Sequence, residues 1–266
     1  MYETHYHRPS SVADAAKLFS GAADARYLAG GQTLIPTMKQ RLAAPSDVID
    51  IWRVAELKGI SAGGDMLTIG SATTHAEVAT SDAVKKAIPA LAYLAGLIGD
   101  PAVRHKGTIG GSLANNDPAA DYPAGVLALA ATIHTNKRTL AADAFFTGLF
   151  STALEEGELI TKIAFPVPAK AGYAKFANPA SRYAMTGVFA AKLKDGKVRV
   201  GVTGAGAKGV FRATDIESAL SSSWHADALA KIVIDASGLL SDIHGSAAYR
   251  ANLVKVMAKR AVMAAG

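Results

Sequence analysis

Apolar and polar positions change rhythm many times along this chain, and each change marks a predicted element. Residues 9–20 carry a helical spacing, with Ser10 or Ser11 as cap and Asp14 in the first turn. Residues 25–29 read as a short strand that enters Gly30-Gly31 directly, and residues 34–42 resume as a helix with Pro36 near its start. Strands are predicted at 47–51 and 66–70, a helix opening at 74–78, and a further helix over 83–98. Residues 99–122 keep neither period, yet they carry small residues, hydroxyls and apolar anchors rather than a disorder-type composition. Long ordered loops are usually functional, so this stretch reads as an ordered binding loop. A helix over 123–131 and strands at 132–135 and 159–165 follow.

The grammar changes near Pro166-Val167-Pro168. Beyond it, strands at 185–194 and 197–203 flank Asp195-Gly196, a hairpin signal. After Ala213 the pattern is helical to the end.

Composition narrows the chemistry. With 266 residues, half of them apolar, the chain can bury a sizeable core as one large domain or two smaller ones. The formal net charge of +6 is mild, and no basic stripe with interleaved aromatics appears, so nucleic acid is not an expected partner. Cysteine is absent, which excludes disulfides, cysteine-ligated zinc and cysteine-held iron–sulfur clusters on this chain. The seven histidines form no ligand pattern, so no metal site is expected, and no Gly-x-Ser-x-Gly nucleophile elbow occurs. The polar start and the short, interrupted Ala/Leu runs at 87–99 and 124–133 predict a cytoplasmic protein without a transmembrane segment.

Two glycine-rich loops carry the strongest chemical signal. The first is Ala29-Gly30-Gly31-Gln32-Thr33-Leu34, between a strand and a helix; the second runs from Gly107 through Thr108-Ile109-Gly110-Gly111-Ser112 to Asp121. Backbone N–H groups in such turns and at helix starts attract anions, so two facing loops suit a diphosphate without a lysine clamp. In the second loop, hydroxyls and Asn115 can donate to phosphate oxygens. Asp121 either accepts sugar hydroxyls or caps the helix beside Pro123.

A third run, Gly204-Ala205-Gly206-Ala207-Lys208-Gly209, is formally G-x-G-x-x-G, and would make the chain a stand-alone NAD-dependent dehydrogenase. The hairpin before it, the lack of a helix after it and the long spacing to Asp235 argue instead for a turn leaving a sheet.

The first loop followed by Pro36-Thr37-Met38-Lys39-Gln40-Arg41-Leu42, and the second from Thr108 to Asp117-Pro118-Ala119-Ala120-Asp121, resemble the two flavin loops of one family. That family is the FAD-binding medium subunits of molybdenum hydroxylases, which includes the xanthine dehydrogenase and aerobic carbon monoxide dehydrogenase subunits. Tyr6-His7-Arg8-Pro9, Pro166-Val167-Pro168 and Tyr249-Arg250 extend the resemblance over nearly the whole chain.

The resemblance implies an α+β fold: a two-subdomain FAD-binding region of the PCMH type, then a C-terminal domain with a small antiparallel sheet and helices. It places the FAD-binding domain at 1–170, with subdomains of about 1–55 and 56–170, and the C-terminal flavoprotein domain at 171–266. It implies FAD contacts at Ala29, Gly30, Gly31, Gln32, Thr33 and Leu34, and at Thr108, Ile109, Gly110, Gly111, Ser112, Asn115 and Asp121. Ile98, Gly99 and Leu159 would be walls of the cofactor groove, and Tyr183 would cover one face of the isoalloxazine. Read from the residues alone, Tyr183 is a core tyrosine at a strand start. Asn178-Pro179 departs from the basic residues of some relatives.

The implied activity is electron transfer within an oxidoreductase, with no catalytic acid or base needed on this chain. The implied partners are a small iron–sulfur subunit and a large molybdopterin subunit, in a dimer of heterotrimers. A non-catalytic assembly module is the other reading, against which the intact glycines stand.

Overall fold

The computed structural model describes residues 1–266 and has the α+β class. Three main sheets follow one another along the chain. The first is parallel, with Asp47–Asp50 between His5–His7 and Ala25–Leu28. Parallel neighbours need a crossover, and the helix Val12–Gly21 supplies it between the two outer strands. Ser11 caps that helix, its Oγ accepting from Asp14 N at 3.0 Å. Ala15, Ala25, Ile49, Ile51, Val54 and Leu57 close a small core there.

The second sheet has five antiparallel strands in the order Ile60–Gly63, Met66–Gly70, Ile160–Pro166, Thr132–Thr135, Thr139–Ala141. The helix Ile109–Asn115 packs on its central strand, while Pro89–Gly96 and Tyr122–Ala128 pack on the sheet that follows; together they build the largest core, with Leu67, Ile69, Leu91, Leu94, Ile109 and Ile163 fully buried.

The third sheet is antiparallel in sequence order, Lys170–Ala177, Ala184–Lys192, Val198–Thr203, Phe211–Arg212. Side chains alternate across a strand, and here both faces are covered. Phe189 and Ala191 enter the large core, while Val188 and Ala190 enter a second core under the last helix, Ala247–Ala264. Helix and sheet meet closely at two glycines: a Cβ on Gly201 would lie 2.2 Å from Ala124 O, and one on Gly172 1.9 Å from Ala261 O.

Three expectations change. The helix over 83–98 is two, Asp82–Ala87 and Pro89–Gly96, because Pro89 forces Ile88 out of helical backbone (φ −143°, ψ 76°). The stretch 99–122 is not one loop. It holds the helices Pro101–Arg104 and Ile109–Asn115, the second capped by Thr108 and ended by Asn116 in the left-handed region at φ 43°. Two glycines in its first turn hide that helix from propensity. The C-terminal region is not continuously helical: Thr214–Ser222 and a 3-10 turn at Ala226–Leu229 precede an irregular run, and helix resumes at Ala247 under a Ser246 cap. Asp195-Gly196 does join two paired strands, with Gly196 at φ 87°. Gly204–Gly209 leads into the strand Phe211–Arg212 rather than a helix, which removes the Rossmann geometry. No helix is long and apolar enough to cross a membrane.

Candidate cofactor site

The two glycine loops face each other across a cleft of about 990 Å³. They touch at its floor, where a Cβ on Gly30 would lie 2.0 Å from Lys106 O and 2.7 Å from Gly107 Cα. The first loop turns sharply because Gly31 adopts φ 70°, where only glycine is free of strain. The N–H groups of Gly30, Gly31, Gln32, Thr33 and Leu34 have no partner within the chain. Thr33, the cap of Leu34–Lys39, makes no side-chain capping bond, so those donors stay available at the cleft.

The second loop is organised in the opposite way. Ile109 N donates to Thr73 O (3.1 Å), Gly110 N to Ser71 O (2.8 Å), Gly111 N to Thr108 Oγ1 (3.1 Å) and Ser112 N to Thr108 O (3.0 Å). Its amides from Ile109 to Ser112 are satisfied internally, and what this part presents to the cleft is side chains and bare Cα surface. A Cβ on Gly110 would sit 2.5 Å from Ser71 Cβ, so that glycine serves packing. A Cβ on Gly111 would meet only Thr108 Oγ1, at 3.0 Å. The side chains of Ser112 and Asn115 line the cleft.

His75, itself at the edge of the cleft, braces this loop. Its backbone N–H donates to Gly107 O at 2.9 Å, and a Cβ on Gly107 would lie 2.5 Å from its ring Nε2. Burial, then the nearby Arg104 charge, pull the imidazole down to about 4, so it is neutral at pH 7. Thr74 to Glu77, a helix start in the sequence pattern, forms a capping box in the structure.

Of the residues expected at the cofactor, Ala29, Gly30, Gly31, Gln32, Thr33, Leu34, Ile98, Gly99, Thr108, Gly110, Gly111, Ser112, Asn115, Asp121, Leu159 and Tyr183 all line this cleft. Ile109 does not; its side chain is fully buried in the large core. Ile98 and Gly99 are held by Arg104, which donates to both carbonyls at 3.0 Å. Leu159 N donates to Asn136 Oδ1 at 2.8 Å. Beside it Glu158 accepts from Arg138 Nε (3.0 Å) and Nη2 (2.9 Å), and this pairing holds its carboxyl down to about 2.

Asp121 does not cap its helix. Its carboxylate accepts from Tyr173 Oη (2.5 Å) and from Lys175 Nζ (3.0 Å), and Lys175 also donates to Leu97 O at 3.0 Å. Burial pushes the Asp121 carboxyl up while the Lys175 charge pulls it back. A strand of the third sheet thereby ties together two walls of the cleft. Nothing in the sequence near Lys175 signals this, because the pairing spans 54 residues. Tyr183 stands half-buried at the cleft, immediately before Ala184–Lys192, and its Oη accepts from Asn178 Nδ2 at 2.8 Å.

Ser71 was not legible either. Its Oγ is buried at the cleft and has no partner in the chain. An orphaned hydroxyl, a run of unpaired amides, the hydroxyl and amide side chains of Ser112 and Asn115, and apolar walls at Ile98, Leu154 and Leu159 together fit an elongated ligand. It would be anionic in the middle and flat and apolar at one end.

Comparison with known proteins agrees. Residues 2–168 match the family model described as the FAD binding domain in molybdopterin dehydrogenase. The nicotine 6-hydroxylase medium subunit of Paenarthrobacter nicotinovorans is 36% identical over 98% of this chain and 96% of its own length. The carbon monoxide dehydrogenase medium chain of Hydrogenophaga pseudoflava is 34% identical over 98% of this chain and 96% of its own. Reconstituted CO dehydrogenase from Oligotropha carboxidovorans superposes with a TM-score of 0.91 at 35% identity, over 99% of this chain and 97% of that one. With its two facing loops and this likeness along nearly its full length, the chain belongs to the FAD-binding medium subunits of the molybdenum hydroxylases, a family of multi-subunit oxidoreductases.

Proposed function

We propose that the cleft holds FAD with its diphosphate against the first loop and its isoalloxazine ring toward Tyr183, and that this subunit relays electrons between other proteins. The observation that carries this reading is the run of unpaired N–H groups from Gly30 to Leu34, facing a second loop whose amides from Ile109 to Ser112 are already engaged. The chain's own residues then divide the work. The first loop binds the anion, Ser112 and Asn115 add donors from the opposite side, and Ser71 completes the floor. Ile98, Gly99, Leu159 and Tyr183 shape the apolar part. When bound, FAD supplies the exchange between one- and two-electron carriers; the protein supplies orientation, electrostatics and exclusion of water.

With no cysteine, the chain has no ligands for a cysteine-held iron–sulfur cluster. Electrons therefore reach this subunit from a small iron–sulfur subunit, fed by a large molybdopterin subunit, in a dimer of heterotrimers in the cytoplasm. They leave to NAD or a quinone-type acceptor. Residues 1–170 form the FAD-binding domain, with subdomains of about 1–55 and 56–170, and 171–266 the C-terminal flavoprotein domain.

The test is reconstitution. The full chain, purified with its neighbours or alone and then incubated with FAD, should show oxidised-flavin absorption bands at one flavin per chain. The bands should bleach when the assembled complex meets its substrate. A chain that stays colourless after reconstitution overturns the cofactor reading. A yellow chain whose flavin is reduced by NADH but never by its partners overturns the relay.

A further inference from the structure

Arg250 lies in the last helix, far in sequence from the cleft, yet it is 3% exposed and fully engaged on one side. Its Nη1 donates to Met185 O (2.8 Å) and Gly204 O (2.9 Å), and its Nη2 to both carboxylate oxygens of Asp242 (2.9 and 2.7 Å). Asp242 in turn accepts from His244 N (2.9 Å) and Gly245 N (3.2 Å), which folds residues 242–245 into a pinned turn.

The clamp does not serve burial of that turn. Ile243 at its tip is 95% exposed. Within that turn the imidazole of His244 stands edge to face with Tyr183, ring centroids 6.3 Å apart and planes at 75°. That geometry is a favoured one for aromatic pairs.

Tyr183 needs such support. It follows Ser181 and Arg182, two consecutive non-glycine residues in the left-handed region at φ 58° and 57°. Strained backbone of this kind persists only where its surroundings hold it. Asn178 holds one side: its N–H donates to Tyr183 O (2.8 Å), its Nδ2 to Tyr183 Oη (2.8 Å), and its Oδ1 accepts from Ala180 N (2.8 Å). His244 stands at the ring itself.

We propose that His244 is a positioning residue for Tyr183: the Arg250–Asp242 clamp fixes the turn, the turn sets the imidazole edge on the phenol ring, and the phenol ring is thereby held over the isoalloxazine end of the cleft. This rests on the FAD reading above and assigns a task to the closing Arg250.

The experiment reads the fluorescence of flavin bound to the full chain in its complex, since an electron-rich phenol in contact with the ring quenches it. Arg250 is buried, so the variants are placed at the exposed Asp242 and His244 and at the half-buried Tyr183. Tyr183→Ala should brighten the bound flavin several-fold. His244→Ala and Asp242→Asn should give part of that rise and a broader lifetime distribution, with FAD occupancy unchanged. His244→Phe, which keeps a ring edge there, should restore the dim parent signal. If Tyr183→Ala brightens the flavin while His244→Ala and Asp242→Asn do not, the positioning role is overturned and the cofactor reading stands. Equal brightening in His244→Ala and His244→Phe overturns the ring contact as the cause. A flavin unchanged by Tyr183→Ala places the isoalloxazine elsewhere, and both readings of this end of the cleft fail.

Discussion

The two glycine loops are built from the same residue for opposite purposes. In the first, glycine permits a left-handed turn at Gly31 and leaves five successive N–H groups without partners. In the second, Gly110 permits packing on Ser71, and every amide from Ile109 to Ser112 is satisfied within the protein. One loop is a donor surface and the other is a braced wall. A glycine-rich motif is therefore not by itself an anion site; the partners of its N–H groups decide.

The largest effect that tests this contrast comes from a methyl group. Gly30→Ala places a Cβ 2.0 Å from Lys106 O, on backbone that cannot yield cheaply, so the loops must part. Overpacking of this kind should destabilise the chain by about 3 kcal/mol, and FAD retention should fall to background. Gly111→Ala meets only a hydroxyl at 3.0 Å. It should leave the thermal midpoint nearly unchanged and weaken FAD by roughly tenfold, about 1.4 kcal/mol, by narrowing the cleft. Thermal melts with and without FAD check both. Equal loss of stability in the two variants would erase the distinction between the loops.

Acid should separate the loops next. The second loop leans on His75, whose imidazole titrates near 4 when folded against 6.5 ordinarily. Between those values the unfolded chain takes up a proton that the folded chain refuses. Stability is thus intact above 6.5 and falls by about 3 kcal/mol as pH drops toward 4. Glu158, with a folded value of about 2 against 4.5, begins to lose its contribution near 4.5 and loses most of it below that window, so the decline above pH 5 belongs to His75. Denaturant melts from pH 7 to 4 should show the first decline, and His75→Phe should flatten it. A decline that survives His75→Phe would locate the titrating group elsewhere.

How much of this was legible in the sequence follows the range of the interactions. Ser11, the Thr74-to-Glu77 box and the Asp195-Gly196 turn act over two to four residues, and their signals stand in the local pattern. The two loops were visible as glycine runs, and the family resemblance supplied their pairing. Lys175 with Asp121, Arg250 with Met185 O, and the orphaned Ser71 were not visible. The first two depend on partners brought near by the folded sheets, 54 and 65 residues away, and the third on the burial that folding imposes on its hydroxyl. The helix Ile109–Asn115 was missed because its capping threonine precedes two poor helix formers, and packing against Ser71 and Thr73 overrides that propensity.

The smallest effect probes what the braced loop adds once its amides are engaged. Ser112 and Asn115 reach the cleft with side chains that bond to nothing else in the chain. A hydrogen bond from such a group to a charged phosphate contributes about 1.5 kcal/mol, so Ser112→Ala or Asn115→Ala should each raise the FAD dissociation constant roughly tenfold. Neither change removes a structural bond, so the melting of the FAD-free chain should not move. Titration of FAD into each variant, beside a melt of the same sample without FAD, measures the two quantities separately. If both affinities stay at the parent value, the second loop contributes shape alone, and the diphosphate is bound by the first loop's amides without help from across the cleft.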